Sequence, residues 1–279
     1  PGPDDSIVWQ IRAPRVLLGL LVGAGLGGIG MAVQAMVRNP LADPYVMGVE
    51  SGSAAGAVMV IYLGRLGAYH GPITPAIGAF VGATATLAAV FGLARQRGRL
   101  SPTRLLLVGV ALSYALSGLT SFVLYASHDP GAQSQILFWI LGGLGAATWR
   151  QIPLVMVVVV GGLGAVWWAG RPLDALSVGD DAARSLGIDP DRQRIRLLLV
   201  SSLVVAVLVS VAGPIGFVVL VVPHVARMIF GAEHRRLLPA AALVGAIYLT
   251  LVDVLCRTLF APSEIPIGVV TAMLGTPYF

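Results

Sequence analysis

Nine long apolar runs occupy most of the 279 residues, and no other feature constrains the fold of this chain as strongly. A helix needs about 20 apolar residues to cross a bilayer, and most of the runs approach that length. Hydrophobic residues make up 57% of the chain and charged residues only 11%, whereas soluble domains are about 25% charged. We therefore predict an all-α, polytopic transmembrane helix bundle with nine spans. The runs are residues 16–37, 46–63, 73–94, 105–125, 152–169, 197–212, 215–230, 237–255 and 267–279.

A further apolar run, residues 136–147, is too short to cross a bilayer, and we expect it to form a half-helix or a re-entrant segment. Glycines also recur at four-residue spacing, which lets helix backbones approach closely in lipid and predicts a tightly packed bundle. No linker or low-complexity segment divides the chain, so we expect one transmembrane domain over residues 1–279. The spaced glycines are Gly19, Gly23, Gly27, Gly52, Gly56, Gly78 and Gly82.

The 18 cationic residues are all arginines, and they predict the orientation of the bundle. If the runs alternate in direction, the arginines divide into five on one face and thirteen on the other, and the richer face is cytoplasmic by the positive-inside rule. Residue 1 then lies outside, so we expect a further helix before it, ten spans in all, and a tail after residue 279. The five are Arg12, Arg15, Arg65, Arg150 and Arg257.

Ionisable residues within the runs all lie near the ends of the predicted spans. Asp253 and Arg257 are four residues apart and would form an ion pair on one helix face. Glu50 and His224 also lie near span ends, and we favour a structural role for His224. An ion-coupled carrier normally holds such groups at mid-depth, and no paired intramembrane carboxylates suggest an enzyme. An ion-coupled secondary transporter or an intramembrane enzyme is the alternative interpretation.

The one sizeable polar stretch, residues 171–196, carries five arginines and five aspartates on the predicted cytoplasmic face. We expect Ser177 to cap a short helix that ends at Gly187, and Asp189 to begin another helical turn. Two short amphiphilic helices would offer a docking surface to a soluble protein. A plain connecting loop is equally compatible with the composition.

Five motifs, in order along nearly the whole chain, resemble those of one membrane protein family. They are IRAPR at 11–15, RNPLADP at 38–44 followed by GVESG at 48–52, GDDAARSLG at 179–187, GPIGF, VPHVAR and EHRRLLP within 213–239, and EIPIGVVT at 264–271. The chain resembles the permease subunits of type II ABC importers, the family for cobalamin, haem and ferric siderophores. Members of that family have ten helices per subunit.

The resemblance implies a bacterial inner-membrane homodimer that takes a metal chelate from an external binding protein and passes it to the cytoplasm. It also implies two cytoplasmic ATPase subunits that bind ATP and Mg²⁺. These 279 residues contain no lysine and hence no phosphate-binding loop, so we expect ATP hydrolysis on those subunits. We therefore expect a chain that is not an enzyme, with no cofactor, metal or nucleic acid of its own. Among chelates we rank ferric siderophore first, haem second and cobalamin third. His224 and His234 could suggest haem, but both belong to motifs shared by every substrate class and therefore do not discriminate between the chelates.

The family's functional positions map onto four groups of residues, which we take as the candidate sites. Arg12, Arg15 and Arg257 correspond to arginines that dock the binding protein. The pathway candidates are Glu50 and Ser51. The cytoplasmic gate maps onto Ser101, Pro102 and Thr103. The ATPase-coupling surface maps onto Val178, Gly179, Asp180, Asp181, Ala183, Arg184, Leu186 and Gly187.

Overall fold

A computed structural model describes residues 6–65, 74–96, 99–100, 102–259, 261 and 263–278 of the chain. Twelve α-helices are present among these residues, with one two-residue antiparallel pair, β1 (Arg95–Gln96) and β2 (Arg99–Leu100). The helices are α1 (Ala13–Val37), α2 (Val49–Arg65), α3 (Pro75–Ala94), α4 (Pro102–Ala126), α5 (Pro130–Leu141), α6 (Ile152–Trp168), α7 (Gly170–Val178), α8 (Asp180–Ser185), α9 (Pro190–Ala212), α10 (Val218–Phe230), α11 (His234–Thr258) and α12 (Ile267–Gly275).

The all-α membrane bundle predicted from the apolar runs is confirmed, and each of the nine runs contains one principal helix. The predicted number of spans is approximate. Within the described ranges, five helices are long and apolar enough to cross a membrane, or six when α6 and α7, bent by 57°, count as one span. Helices α2 and α10 are apolar but shorter than that limit.

The predicted half-helix at residues 136–147 is displaced in the structure to α5, Pro130–Leu141. The helix begins earlier because Asp129 caps it, accepting a hydrogen bond from the Gly131 amide at 2.8 Å, with Pro130 in the first turn. It ends at Gly142, whose φ of +71° stops the helix. The hydrophobic run continues past this point, so hydrophobicity alone misplaced both ends.

The described chain forms two compact units, and the expectation of a single domain stays a prediction. The first unit comprises Pro1–Pro44, Leu144–Leu208 and Gly216–Phe279. At its centre is α1, which is buried without interruption from Gly25 to Met36 and packs against α6, α10 and α11. The approach of α1 to α11 is close because Gly23 lies against the backbone of Gly245, where a β-carbon would overlap a carbonyl group.

The second unit comprises Tyr45–Gly143 and Val209–Ile215. Its helices α2 and α3 pack through two pairs of glycines, Gly52 with Gly82 and Gly56 with Gly78, so each backbone lies directly on the other. Small residues at such an interface replace the hydrophobic driving force that lipid does not supply. The tight packing predicted from glycine spacing is therefore confirmed within both units.

The short helices of the polar stretch are present, although their capping residues differ in part from the prediction. The cap predicted at Ser177 is wrong, because Ser177 lies within α7 and donates a hydrogen bond to the Asp174 carbonyl at 2.7 Å. Helix α8 begins instead after Gly179 and ends, as predicted, before Gly187, whose φ is +76°. Asp189 caps the long helix α9 rather than a second short helix, accepting from the Arg192 amide at 3.2 Å.

Gly82→Ala should destabilise the second unit by about 1–3 kcal/mol, because the added β-carbon overlaps the Gly52 carbonyl and neither backbone can yield. Gly92→Ala is the matched control in the same helix, since among the described residues no heavy atom beyond its chain neighbours and its own helix backbone lies within 4 Å of its β-carbon position. That variant should be neutral or slightly more stable, because alanine favours helix. Thermal unfolding in detergent compares the two, and equal unfolding temperatures would contradict the packing described here.

Candidate functional site

Charged side chains of the first unit gather in two clusters, at opposite ends of α1. The outer cluster consists of Arg15, Asp253, Arg257 and Glu264, at the end where α1 begins. The inner cluster consists of Arg38, Asp180 and Arg194, where α1 ends. Arg15 and Arg257 belong to the predicted outer set of arginines, and Arg38 and Arg194 to the predicted cytoplasmic set. For these residues the predicted division of charge between the two faces agrees with the contacts.

Arg15 is the centre of the outer cluster and is only 7% exposed. Its guanidinium donates to Asp253 through Nη2 at 2.8 Å and Nε at 3.0 Å. The same group donates to Glu264 through Nη1 at 2.9 Å and Nη2 at 3.0 Å. One arginine thus binds two carboxylates bidentately, which matches the fork geometry of its donors.

Asp253 is 1% exposed, and Arg257 of the same helix also contacts it, with its Nε 3.1 Å from Oδ2. The i,i+4 ion pair predicted from sequence is therefore confirmed. A buried charge is costly unless it is paired and hydrogen-bonded. With two arginines against two carboxylates the outer cluster is formally neutral, and it connects α1, α11 and the segment preceding α12.

The three arginines predicted to dock an external protein differ in accessibility. Arg12 is exposed, just before α1. Arg15 is buried and bound by Asp253 and Glu264, and Arg257 is half-buried beside Asp253. Glu264, whose side chain is 43% exposed, was not recognised as their partner from sequence. Its place in a motif was the only signal, because residues 249 positions apart have no local pattern that pairs them.

Arg194 is the centre of the inner cluster. Its Nη1 and Nη2 donate to the two carboxylate oxygens of Asp180 at 2.9 and 2.6 Å, and its Nε donates to the Met36 carbonyl near the end of α1 at 3.2 Å. Arg38 lies 3.6 Å from the same carboxylate. The hydrogen bond from Arg194 is the main cause of a lowered pKa at Asp180, so this carboxylate is ionised throughout the neutral range.

The predicted ATPase-coupling residues divide into an exposed and an inward-facing set. Ala183 is buried against Ala175, Leu176 and Ile188, which fastens α8 to α7. Asp180 is bound by Arg194. The exposed set comprises two large apolar side chains, Val178 at 77% and Leu186 at 69%, together with Asp181, Arg184 and Gly187. Apolar side chains exposed beside charged ones are typical of a protein interaction surface.

Further polar contacts connect this end of the unit to neighbouring helices. Gln34 of α1 donates to the Val219 carbonyl at the start of α10 at 3.1 Å, and accepts from Arg227 at 3.0 Å. Asp174 of α7 accepts from the His234 amide at 3.1 Å and lies 2.5 Å from its Nδ1, at the start of α11. His234 is therefore engaged by a carboxylate of its own chain.

The remaining candidate positions are in the second unit or outside the described residues. Ser101 of the predicted gate lies outside them, and Pro102 and Thr103 are the first residues of α4. Ser51 is buried at the start of α2 and donates to the Gly48 carbonyl at 3.2 Å, while Glu50 beside it is half-buried. Among the described residues, no three His, Cys, Asp or Glu side chains form a group that could hold a metal ion.

Asp253→Asn should destabilise the first unit by about 3–5 kcal/mol, because it leaves two arginines with reduced compensation in a buried site. Glu264→Gln removes a carboxylate from the same arginine at a half-exposed position, so its effect should be smaller. Thermal unfolding in detergent measures both variants beside the native protein. No loss for Asp253→Asn would show that the outer cluster does not stabilise the fold, and equal losses in the two variants would show that burial does not set the contribution of each carboxylate.

A family model described as the FecCD transport family matches residues 2–279. The hemin transport system permease protein of Yersinia pestis is 40% identical over 98% of this chain and 81% of its own length. The vitamin B12 import system permease protein of Salmonella typhi is 41% identical over 99% of this chain and 82% of its own.

Two solved structures also resemble this chain. One, described as an inward-facing conformation of a metal-chelate type ABC transporter, has a TM-score of 0.90 and 34% identity, covering 100% of this chain and 88% of its own. The other, PsaBC from Streptococcus pneumoniae in complex with Fab, has a TM-score of 0.63 and 15% identity, covering 99% of this chain and 92% of its own. The second likeness concerns the fold alone.

Proposed function

The chain belongs to the FecCD transport family, and we propose that it is the permease subunit of an ATP-driven importer that passes a metal chelate into the cytoplasm. As an ABC transporter permease it is a multi-pass protein of the inner membrane. The importer takes its chelate from an external binding protein. A second copy of this chain completes the pathway across the membrane.

Support for the chelate class comes from the relatives, whose names specify hemin in one case and vitamin B12 in another. Both compounds are metal ions held in a large organic macrocycle. This chain is about equally similar to both relatives, so identity does not choose between them. Ferric siderophore, haem and cobalamin together form the proposed substrate class, in that order.

The observation that carries the proposal is the exposed surface of residues 178–187, the segment that contains α8, together with the contacts that anchor it. Val178, Leu186 and Arg184 are exposed there, while Asp180 in the same short segment is bound to Arg194 at the base of a long apolar helix. A surface of this kind can bind a soluble protein, and the contact between Asp180 and Arg194 anchors it to the membrane helices. We assign it to the ATPase subunits, which bind ATP and Mg²⁺.

On the external face, we assign direct docking of the binding protein to Arg12, which is exposed. Arg15 and Arg257 belong to the same docking proposal as members of the outer cluster, where Asp253 and Glu264 hold them. Ser101, Pro102 and Thr103 are assigned to the cytoplasmic gate, and Glu50 and Ser51 to the pathway, on the family resemblance alone.

Proteoliposomes holding this chain with its ATPase and binding protein should take up one of three offered substrates, a ferric siderophore, haem or cobalamin, only when ATP is supplied. Vesicles without the ATPase, or with a non-hydrolysable ATP analogue, are the controls. Uptake should persist when ionophores abolish the ion gradients. Uptake that follows an ion gradient and ignores ATP would contradict the importer and favour a secondary transporter.

Arg12→Glu should weaken the affinity of the binding protein about tenfold at low ionic strength, with the difference shrinking as salt is added, because exposed charge pairs are screened. Arg236→Glu is the control, since it makes the same charge change at an exposed position at the predicted cytoplasmic end. Equilibrium binding to protein in nanodiscs at two salt concentrations measures both. Equal affinities for the two variants would return Arg12 to an anchor at the lipid headgroups.

A further inference from the structure

We propose that Arg194 is the positioning residue that converts displacement of α8 into movement of α1. This inference rests on the proposed function, because it concerns how the ATPase contact reaches the membrane helices. It adds a residue that lies outside the exposed coupling surface itself.

Two adjacent carboxylates, Asp180 and Asp181, face in different directions. Asp180 points inward, where Arg194 binds both of its oxygens. Asp181 is fully exposed, and Arg184 of the same short helix lies 3.5 Å from it. A partner can therefore meet Asp181 and Arg184 without disturbing Asp180. The inner carboxylate is free to serve as an attachment point within the chain.

The Arg194 side chain is mostly buried, with 14% of its surface exposed. Two of its nitrogens bind Asp180, and the third contacts the Met36 carbonyl. That carbonyl is among the last four of α1, which have no partner within the helix. One planar guanidinium thus joins three helices, α8, α9 and α1, and its donors keep fixed mutual directions.

Two residues near Met36 make further contacts at the end of α1. Gln34, two residues earlier in α1, donates to the Val219 carbonyl of α10. Arg38, directly after α1, lies within ion-pair distance of Asp180 as well. The end of α1 is therefore bound on one side to α8 and on the other to α10. Displacing α8 must either carry this end with it or break the charge-assisted bonds of Arg194.

The test measures ATP hydrolysis and uptake in the same proteoliposomes, assembled with the ATPase and binding protein, and takes their ratio. Arg194→Lys retains the charge but cannot reproduce three bonds in one plane. It should lower the substrate moved per ATP by about tenfold, within the range of coupling between sites, while the ATPase still copurifies. Asp180→Asn should behave in the same way.

One control separates this role from the arginine-to-lysine change in itself. Arg192→Lys alters an exposed arginine two residues away that pairs only with Asp189 among the contacts described. It should not change the ratio of uptake to hydrolysis by more than about twofold. Exchanging the pair, with Asp180→Arg and Arg194→Asp together, should not recover the ratio, because aspartate at position 194 cannot donate to the Met36 carbonyl and arginine at position 180 would face Arg38. Full recovery would contradict the proposed role of the contact with α1.

An unchanged ratio in both Arg194→Lys and Asp180→Asn would overturn the proposal. Loss of the ATPase from purified Arg194→Lys would overturn it too, by making Arg194 part of the docking surface. Native protein that shows no ATP-dependent uptake would instead contradict the proposed function. The native sample therefore distinguishes the two failures.

Discussion

The cost of removing an arginine charge from water governs both ends of the first unit. A buried guanidinium is tolerated only where carboxylates and carbonyls replace the solvent. Arg15 meets this condition with two carboxylates, and Arg194 with one carboxylate and a helix-end carbonyl. Each of these side chains donates from three nitrogens, and each binds groups from more than one segment of the chain. The ion pairs of Arg15 and Arg194 thus hold the two ends of α1 against neighbouring segments.

Between the two clusters, α1 is held by close packing rather than by charge. Glycines on α1 allow the backbone of α11 to approach within the space that a β-carbon would occupy. In lipid such contact has to supply what the hydrophobic effect supplies in water. A helix packed closely along its length and bound by ion pairs at both ends is a rigid element. Rigid elements of this kind are suited to carry a displacement from one end of a unit to the other.

Local signals in the sequence predicted the elements well. The apolar runs marked nine principal helices, Gly187 ended α8 through its left-handed conformation, and the four-residue spacing of Asp253 and Arg257 marked an ion pair. Errors came where two signals of similar strength competed. Ser177 resembled a cap, but the preceding helix continued through it to Val178, and Gly179 provided the break.

The contacts that join distant segments could not be predicted from the sequence. Arg15 and Asp253 are 238 positions apart, and Arg194 reaches the Met36 carbonyl over 158. No periodicity relates such residues. As a result, Arg15 was expected to be an external docking residue, and its burial beside Glu264 emerged only from the folded arrangement. The family resemblance predicted the surfaces, whereas the structure identified which side chains hold those segments in place.

Coupling of α8 to α1 through Arg194 is measured most directly by an experimental structure of the chain bound to its ATPase with nucleotide. We predict that the ATPase contacts Val178 and Leu186, while Arg194 keeps its bonds to Asp180 and to the Met36 carbonyl. Helices α8 and α1 should then move together relative to the nucleotide-free complex. A structure in which the ATPase binds elsewhere, or in which Asp180 separates from Arg194 as α8 moves, would contradict this coupling.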